Sequence, residues 1–287
     1  MKVLIVGLGL MGGAYAYRLS NKGYTVYGSD LDLNAIDYAL DKKFIENGSV
    51  DPKEFIITSD VIVLAIYPEA ILSFMNSYKE YFHEGQVITD ICGVKSDFIF
   101  DAISLAKPAT YLSHHPMAGR EKSGIYYSTE CVFGGANFLI TPTKDVLASP
   151  SKEEENAINI LKQLGTDLGF THISVMDIEK HNRMIGFTSQ LTHAIAVSLV
   201  NSDHDDDTKY YIGDSYRDLT RIAMINDKLW SELFLENRAY LLEHIASFEM
   251  ELNLLKMALY KEDKEALCKL FKSSTRIRKE MEKKWKN

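Results

Sequence analysis

Cysteine is scarce in this sequence: the 287 residues include three, at positions 92, 131 and 268. So few thiols, spaced so far apart, argue against a disulfide framework and against a metal cluster. Long apolar runs are also missing, because no stretch approaches the roughly 18 residues needed to span a bilayer. We therefore expect a cytoplasmic protein with no membrane-spanning segment and no bound metal.

An excess of basic residues is missing as well. Lysine and arginine number 32 against 40 aspartate and glutamate residues, which gives a formal net charge of -8 and a pI near 5.5. Nucleic-acid binding needs a basic surface, so a nucleic-acid partner is not expected. Proline disappears after Pro150, and β-type patterns stop before Asp177. The second part of the chain is therefore predicted to be helical.

The first part of the chain alternates short apolar runs with helical patterns. Most runs are continuous, which is typical of strands buried on both faces of a parallel sheet. This order predicts an α/β Rossmann-like, doubly wound domain over residues 1–176, followed by an all-α domain over 177–287. Long helices rich in Leu, Met and Phe favour packing against a second copy, so we expect a homodimer. The predicted strands are Lys2–Val6, Tyr24–Gly28, Val61–Ile66, Gln86–Thr89, Tyr111–Ser113, Phe138–Thr141 and Thr171–Val175, and the predicted helices include Lys95–Ala106, Asp177–Val200 and Asp227–Leu259.

A glycine-rich turn follows the first predicted strand and opens the first predicted helix. Gly7, Gly9 and Gly12 have the G-x-G-x-x-G spacing, with Leu10 and Met11 between the last two. In this motif the first glycine permits a tight turn, the second lets the backbone approach a pyrophosphate, and the third lets helix and strand pack closely. The pyrophosphate lies on the amides of the helix N-terminus. The flanking strand and helix favour a dinucleotide site over a purely structural turn.

An acidic residue ends the second predicted strand. Asp30 follows Gly12 at about the 20-residue spacing at which a carboxylate accepts hydrogen bonds from the adenosine ribose. It also repels a 2′-phosphate, and no arginine or lysine stands at residues 28–36 to bind one. NAD is therefore expected rather than NADP. Asp32 is a competing acceptor, which we expect to cap the helix that starts near Leu33.

Two further segments lie at the predicted carboxyl ends of strands, where open α/β sheets bind their ligands. Ile66, Tyr67 and Pro68 stand at the end of one strand, and Gly93 follows the next. A glycine at that place allows close approach of the nicotinamide end of the cofactor. For Gly93, an ordinary strand-to-helix loop explains the sequence equally well.

Adjacent histidines, His114 and His115, lie near the end of a later predicted strand. A histidine there is well placed for acid–base chemistry on a hydroxyl, because its pKa lies near neutrality. A single histidine would more often be hydrogen-bonded within a turn. Because two adjacent histidines lie beside the cofactor crevice, a catalytic role is here nearly as well supported as a structural one.

Two polar constellations lie in the predicted helical part. Gln190 and His193 share a helix face, although a hydrogen-bonded core histidine is the commoner explanation. Arg217 and Arg221 also share a face and can present two guanidinium groups to a carboxylate, unless nearby acids pair with them. The acidic run at 203–207 lacks the glycine and the terminal glutamate of a calcium loop, so a solvated loop is predicted there.

Together these segments resemble the prephenate dehydrogenase family of tyrosine biosynthesis. The similarity follows family order along essentially the whole chain, and its more specific parts are the HP-x-AG and D-x-TR-IA motifs. The resemblance implies NAD-linked oxidative decarboxylation of prephenate to 4-hydroxyphenylpyruvate, with hydride leaving C4 of the ring and CO₂ leaving C1. The matching segments are the glycine loop at Gly7, His115–Gly119, Glu121–Gly124, Ser189–His193, Asp218–Ala223, Trp230 and Glu236-Asn237.

The resemblance also implies roles for individual residues. His115 matches the histidine that accepts a hydrogen bond from the substrate hydroxyl and acts as base. Arg221 matches the arginine that binds the ring carboxylate, and His193 matches a second histidine that contacts the substrate. The other implied substrate-binding residues are Arg217, Gln190, Trp230 and Glu121, the last of them near the site entrance.

Two departures from the family pattern leave questions open. Gly93 occupies a position where some members carry a serine bonded to the catalytic histidine or the hydroxyl, and the Cys92 thiol or a water is left as a substitute. Gln190 stands where some relatives have a histidine. Three alternatives also stay open: an arogenate dehydrogenase, a β-hydroxyacid dehydrogenase using Lys180, and a non-catalytic NAD-binding sensor or assembly protein.

Overall fold

The computed structural model describes residues 1–118, 122–130 and 133–285. Its main sheet has six parallel strands in the spatial order β3-β2-β1-β4-β5-β6. The order reverses beside β1, which is where an open α/β sheet forms its ligand crevice. The strands are β1 (Lys2–Val6), β2 (Thr25–Ser29), β3 (Asn47–Gly48), β4 (Val61–Leu64), β5 (Val87–Asp90) and β6 (Thr110–Tyr111).

Both faces of this sheet are buried. Val3 and Ile5 belong to one apolar cluster, whereas Leu4 belongs to another, because successive side chains of a strand point to opposite faces. Burial on both faces explains why the strands have continuous apolar sequences. The helices of this part are α1 (Leu10–Ser20), α2 (Leu33–Asp41), α3 (Lys53–Thr58), α4 (Pro68–Tyr78) and α5 (Phe98–Ala106).

A second, three-stranded sheet follows, formed by β7 (Ser113–Pro116), β8 (Asn137–Thr141) and β9 (His172–Val175). β7 and β8 are antiparallel, and β8 and β9 are parallel. The helices α6 (Lys144–Ala148) and α7 (Lys152–Leu168) lie between β8 and β9 in the chain. The sequence did not predict that these three strands form a sheet of their own. Apolar periodicity reports that a strand is buried, not which strand it pairs with.

The rest of the described chain is helical, which confirms the predicted fold class. Two predicted helices are interrupted: 177–200 contains a π-helical turn, Gly186–Gln190, and 227–259 breaks at Asn237. Asn237 is buried and its side-chain amide donates outside its own segment, to Asn182 O and Gln190 Oε1. The helices are α8 (Ile178–Ile185), α9 (Leu191–Asn201), α10 (Asp214–Thr220), α11 (Asp227–Glu236), α12 (Arg238–Tyr260) and α13 (Lys264–Trp285).

The contacts within the chain define two compact units, Met1–Asn237 and Arg238–Asn287. The first unit contains both sheets and α1–α11, and all residues of the candidate site described below lie in it. Within the second unit, α12 and α13 pack against each other. None of the helices in the described ranges is long and apolar enough to cross a membrane.

Candidate active site

The glycine turn between β1 and α1 is shaped by two close backbone approaches. Gly7 has φ +91°, and a Cβ placed on it would lie 2.4 Å from the carbonyl oxygen of Ala65. A Cβ on Gly12 would lie 1.8 Å from the carbonyl oxygen of Gly7. No larger residue fits either position without moving the backbone, so these two glycines hold the strand, the turn and the helix together.

The middle glycine of the turn has a different environment. A Cβ on Gly9 would have no described atom within 4 Å, so this side of the turn is open. Gly9 is also the N-cap of α1, and no side chain caps the helix there. The amides of the first turn, at Leu10 and Met11, therefore remain available to an anionic ligand at the positive end of the helix. The turn fits the pyrophosphate of a dinucleotide.

Asp30 connects the end of β2 to this turn. Its Oδ2 accepts the N–H of Leu8 at 2.6 Å, and its Oδ1 accepts the N–H of Asp32 at 2.9 Å. Each carboxylate oxygen retains further acceptor capacity for a ribose hydroxyl. The side chain of Asp32 accepts the N–H of Asn34 at 2.9 Å and caps α2, as predicted.

The segment after β4 lies beside the glycine turn. A Cβ on Gly7 would lie 2.9 Å from Cγ2 of Ile66, so that side chain covers the turn. Tyr67 is half-exposed, and Pro68 is the first residue of α4. The backbone therefore brings all three predicted residues of this segment to the carboxyl end of the sheet, next to the expected cofactor position.

A buried ion pair organises the loop after β5. Lys95 Nζ lies 3.0 Å from Asp90 Oδ1, and neither side chain has exposed surface. Nζ also donates to the carbonyl oxygens of Cys92 at 2.6 Å and of His114 at 2.8 Å, while Tyr111 Oη donates to Asp90 Oδ2 at 2.8 Å. Burial opposes ionisation of Asp90, but the lysine charge and the hydrogen bonds outweigh it and lower its pKa. This loop delays the start of α5, which was predicted to begin at Lys95.

The two adjacent histidines face opposite sides of β7. His114 is completely buried, with Tyr15 Oη 2.9 Å from its Nε2 and Thr89 Oγ1 2.6 Å from its Nδ1. Burial lowers the pKa of His114 to about 3, so the ring is neutral and serves the packing of the core. The commoner interpretation, a hydrogen-bonded structural histidine, therefore applies to His114.

His115 lies on the other side, against α8 and the loop after β5. Its Nδ1 is 3.0 Å from Nε2 of His181, and a Cβ on Gly93 would lie 3.7 Å from its Nε2. Burial, the neighbouring His181 and the charge of Lys95 lower the pKa of His115 well below its usual value. A neutral ring with one nitrogen directed to the Gly93 side is able to accept a proton there.

A second cluster forms on the helices after β9. The rings of His193 and Trp230 lie with centroids 3.7 Å apart, and His193 Nδ1 is 2.9 Å from the carbonyl oxygen of Ser189. Burial lowers the pKa of His193, and the charge of Arg221 lowers it further, against the Ser189 hydrogen bond, which raises it. We call His193, Arg221 and Trp230 the helical wall. Three residues predicted from the sequence thus come together.

The helix α11 joins the helical wall to the surroundings of His115. Trp230 and Leu233 are three positions apart on this helix and share a face. Trp230 packs on His193, while Leu233 lies 3.8 Å from the position of a Cβ on Gly93. The general-base candidate and the carboxylate-binding candidate therefore border the same region.

Three other predicted residues lie elsewhere or outside the described part of the chain. Arg217 is exposed and pairs with Asp214 at 2.9 Å, so a nearby acid does pair with it. Gln190 is buried, its Nε2 donating to Leu233 O and its Oε1 accepting from Asn237, both at 2.7 Å. Glu121 falls outside the described residues. Substrate contact by these three stays a prediction.

Four buried polar residues at the site, Asp90, Lys95, His181 and Asn182, were missed in the sequence. One feature of the sequence indicates that Lys95 is buried: it lies among apolar residues shortly after a predicted strand. His181 and Asn182 lie on α8, and the Asn182 amide bonds both backbone groups of Lys95, at 3.0 and 2.6 Å. We call this connected set the buried network; its members are Asp90, Lys95, His114, His115, His181 and Asn182.

The proposed serine substitute is also located. Cys92 packs in the apolar cluster that contains Phe98 and Ile99, and burial raises the pKa of its thiol well above the usual value. A protonated thiol within the core is poorly suited to act on a substrate hydroxyl. At position 93 His115 therefore faces a glycine backbone, where a Cβ would be in ordinary van der Waals contact with His115 and Leu233.

A parallel sheet with an open glycine turn, followed by helices that complete a polar site, defines a two-domain, dinucleotide-dependent dehydrogenase. Two family models match: "Prephenate dehydrogenase, nucleotide-binding domain" over residues 14–169 and "Prephenate dehydrogenase, dimerization domain" over residues 177–273. The chain belongs to the prephenate dehydrogenase family.

Individual relatives agree with this membership. Prephenate dehydrogenase of Lactococcus lactis subsp. cremoris is 26% identical, over 98% of this chain and 77% of its own length. Cyclohexadienyl dehydrogenase of Zymomonas mobilis is also 26% identical, over 96% and 94%. The crystal structure of prephenate dehydrogenase from Aquifex aeolicus in complex with hydroxyphenyl propionate and NAD⁺ has a TM-score of 0.86 and 29% identity, covering 98% of both chains.

Proposed function

We propose that this protein catalyses the NAD-dependent oxidative decarboxylation of prephenate to 4-hydroxyphenylpyruvate, CO₂ and NADH. The observation that carries the proposal is the neutral, partly buried His115 bordering the same region as the histidine, arginine and tryptophan of the helical wall. A base for a hydroxyl and a cation for a carboxylate are what this reaction requires. Membership of the family and the names of the relatives support the assignment.

The chemistry assigns His115 two successive tasks. When bound, NAD supplies the acceptor for the hydride that leaves C4 of the ring. His115 Nε2 takes the hydroxyl proton, so that C4 becomes a carbonyl carbon. The bond from C1 to the carboxylate then breaks, its electron pair enters the ring, and CO₂ leaves. The ring becomes aromatic and its oxygen recovers the proton from His115, which has acted as base and then as acid.

The helical wall supplies recognition. Arg221 offers a planar fork of donors to the ring carboxylate, which suits it better than a point charge. His193 contacts the substrate and Trp230 walls the pocket. Arg217, Gln190 and Glu121 are retained as further substrate-binding positions. The glycine turn with Leu10 and Met11, Asp30, the segment 66–68 and Gly93 hold the cofactor.

The organisation of the chain is part of the same proposal. Residues 1–176 form the NAD-binding domain, and residues 177–287 form a helical domain through which two copies associate as a homodimer. The match to a family domain described as a dimerization domain supports this assembly. The expectation of a cytoplasmic protein stays a prediction.

The test uses the purified full-length protein with NAD⁺ and prephenate, followed by the absorbance of NADH. Arogenate is the matched second substrate, because the Zymomonas relative is named a cyclohexadienyl dehydrogenase and arogenate differs in the side chain alone. A 3-hydroxy acid is the third arm. Turnover of prephenate at a kcat/KM well above that of arogenate is expected. Turnover of the 3-hydroxy acid alone, or of none of the three, would refute the proposal.

A further inference from the structure

The ring of His115 is held from its Nδ1 side by a second histidine. His181 is completely buried on α8, with its Nε2 3.0 Å from His115 Nδ1. Its own Nδ1 lies 3.0 Å from Oδ1 of Asn182. A chain of hydrogen bonds therefore runs from Asn182 through His181 to His115.

The Asn182 amide has one orientation. Its Oδ1 accepts the backbone N–H of Lys95 at 3.0 Å, and its Nδ2 donates to the backbone carbonyl of Lys95 at 2.6 Å. A backbone N–H only donates and a carbonyl only accepts, so exchanging the oxygen and nitrogen of the amide would break both bonds. The atom that faces His181 is therefore an acceptor.

This orientation determines which nitrogens carry protons. Because Asn182 Oδ1 only accepts, His181 Nδ1 carries the proton of that bond. Burial and the charge of Lys95 lower the pKa of His181 to about 3, so the ring is neutral and its Nε2 has no proton. His115 Nδ1 must then donate to it. The His115 ring is neutral as well, which leaves its Nε2 without a proton on the Gly93 side.

We propose that Asn182 and His181 are positioning residues that hold His115 in the Nδ1–H tautomer, so that its bare Nε2 receives the hydroxyl proton of the substrate. The role assigned to the proton rests on the proposed function. Glycine at position 93 brings no side-chain hydroxyl to Nε2, so the tautomer is set from the Nδ1 side. The charged groups behind these rings, Lys95 and Asp90, pair with each other at 3.0 Å.

The step needs no additional reactant. His115 Nε2 forms a bond to the proton as the O–H bond of the substrate breaks, and His115 becomes an imidazolium. Its Nδ1–H bond to His181 then becomes charge-assisted and strengthens. When the ring oxygen of the product recovers the proton from Nε2, His115 returns to the tautomer from which it started.

The test reads the tautomer directly, in cofactor-free protein with ¹⁵N-labelled histidine. Two-bond ¹H–¹⁵N correlations distinguish a protonated from a bare ring nitrogen, and a His115→Gln spectrum assigns the signals. The expected result is Nδ1–H with a bare Nε2 for both His115 and His181. Nε2–H at His115 in the unaltered protein would overturn the proposal whether or not the protein oxidises prephenate.

Variants separate positioning from packing. His181→Leu removes the acceptor, whereas His181→Gln can keep the polarity, accepting from His115 and donating to Asn182. His172→Leu makes the same change at an exposed histidine of β9 and serves as the control. The leucine variant is expected to show mixed His115 tautomers and a kcat lowered at least roughly 10–100-fold, the range for partners that orient metal-bound histidines, with KM little changed.

The glutamine variant completes the experiment. It is expected to restore the single His115 tautomer and most of kcat. A leucine variant with an unchanged tautomer and unchanged kcat would contradict the assignment. If the leucine variant does not fold, the His115 tautomer is compared between the unaltered protein and His181→Gln. A glutamine variant that folds but shows mixed His115 tautomers would also contradict the proposal.

Discussion

The buried network and the helical wall differ in the charge of their functional side chains: the histidines of the first are neutral, whereas the second contains a cationic arginine. In the buried network, His114 and His181 have no exposed surface and the pKa of every histidine is lowered, so the rings stay neutral. In the helical wall, the cationic Arg221 is exposed and His193 is half-buried. The difference fits the two tasks that we propose for these regions. A base must be neutral and correctly oriented before reaction, whereas a carboxylate receptor must remain a cation without the cost of burying one.

The largest effect is expected from removing the base on the network side. His115→Asn keeps a polar side chain of similar reach but cannot accept the hydroxyl proton. We expect kcat to fall by roughly 10²–10⁴, the usual contribution of general acid–base catalysis. Steady-state kinetics with prephenate measures it, and NAD⁺ binding serves as the control for folding. A kcat close to that of the unaltered protein would show that the buried network does not supply the base.

Removing the cation of the helical wall should act on binding. Arg221→Ala leaves the ring carboxylate without its charge-assisted partner, a loss on the order of 2–5 kcal/mol that appears mainly as a raised KM. Arg221→Lys keeps the positive charge but lacks the planar fork of donors, so its KM should lie between those of the unaltered protein and Arg221→Ala. The same kinetic assay measures both variants. A lowered kcat with unchanged KM would show that this arginine acts in the chemical step.

Acid should destabilise the protein through the buried network. A histidine whose pKa is lower in the folded state binds a proton more readily in the unfolded chain, whose histidines titrate near about 6.5. The stability contributed by neutral burial is complete above that pH and is lost as the pH falls toward about 3, the value for His114 and His181. Urea unfolding between pH 7 and pH 5 should therefore show a steadily falling free energy of unfolding. That window lies above the range in which ordinary carboxylates titrate. A free energy that does not change across it would contradict neutral burial.

The smallest effect is expected within the helical wall itself. Trp230→Phe keeps an aromatic ring next to His193, but the smaller ring reduces the contact area between the two side chains. Aromatic pairs contribute about 0.5–1.5 kcal/mol beyond area burial, so KM for prephenate should rise by roughly twofold to tenfold. The kinetic assay again measures it. A change in the acid limb of the pH profile without a change in KM would indicate that the tryptophan tunes His193 rather than the substrate pocket.

Local sequence patterns predicted the strand, turn and helix around the glycine motif, and the cap of the next helix. The glycine turn, Asp30 and the capping role of Asp32 all depend on residues near one another in the chain, and the geometry of a strand, a turn and a helix follows from such short segments. The continuous apolar runs of β1 and β4 likewise identified buried parallel strands. These features needed no knowledge of a distant partner.

The buried network could not be predicted in the same way. His181 contacts His115 across 66 positions, and Asn182 contacts Lys95 across 87. Their spacing carries no local periodicity, and each is an ordinary polar residue until the fold supplies its partner. The division into two sheets was missed for the same reason, since pairing of β7 with β8 rather than with the main sheet is a choice between distant partners.

The π-helical turn between α8 and α9 has a consequence for how one continuous helical stretch serves both regions. At about 100° per residue, an undistorted helix would place the side chains of His181 and His193 about 120° apart around its axis. A π-helical turn accommodates one extra residue, which brings that angle to about 20°. The turn at 186–190 thus sets the rotational phase of the helix. If this turn took regular α-helical geometry with no residue deleted, every functional side chain would remain in the protein, but His193 would be turned by about 100° around the helix axis relative to His181.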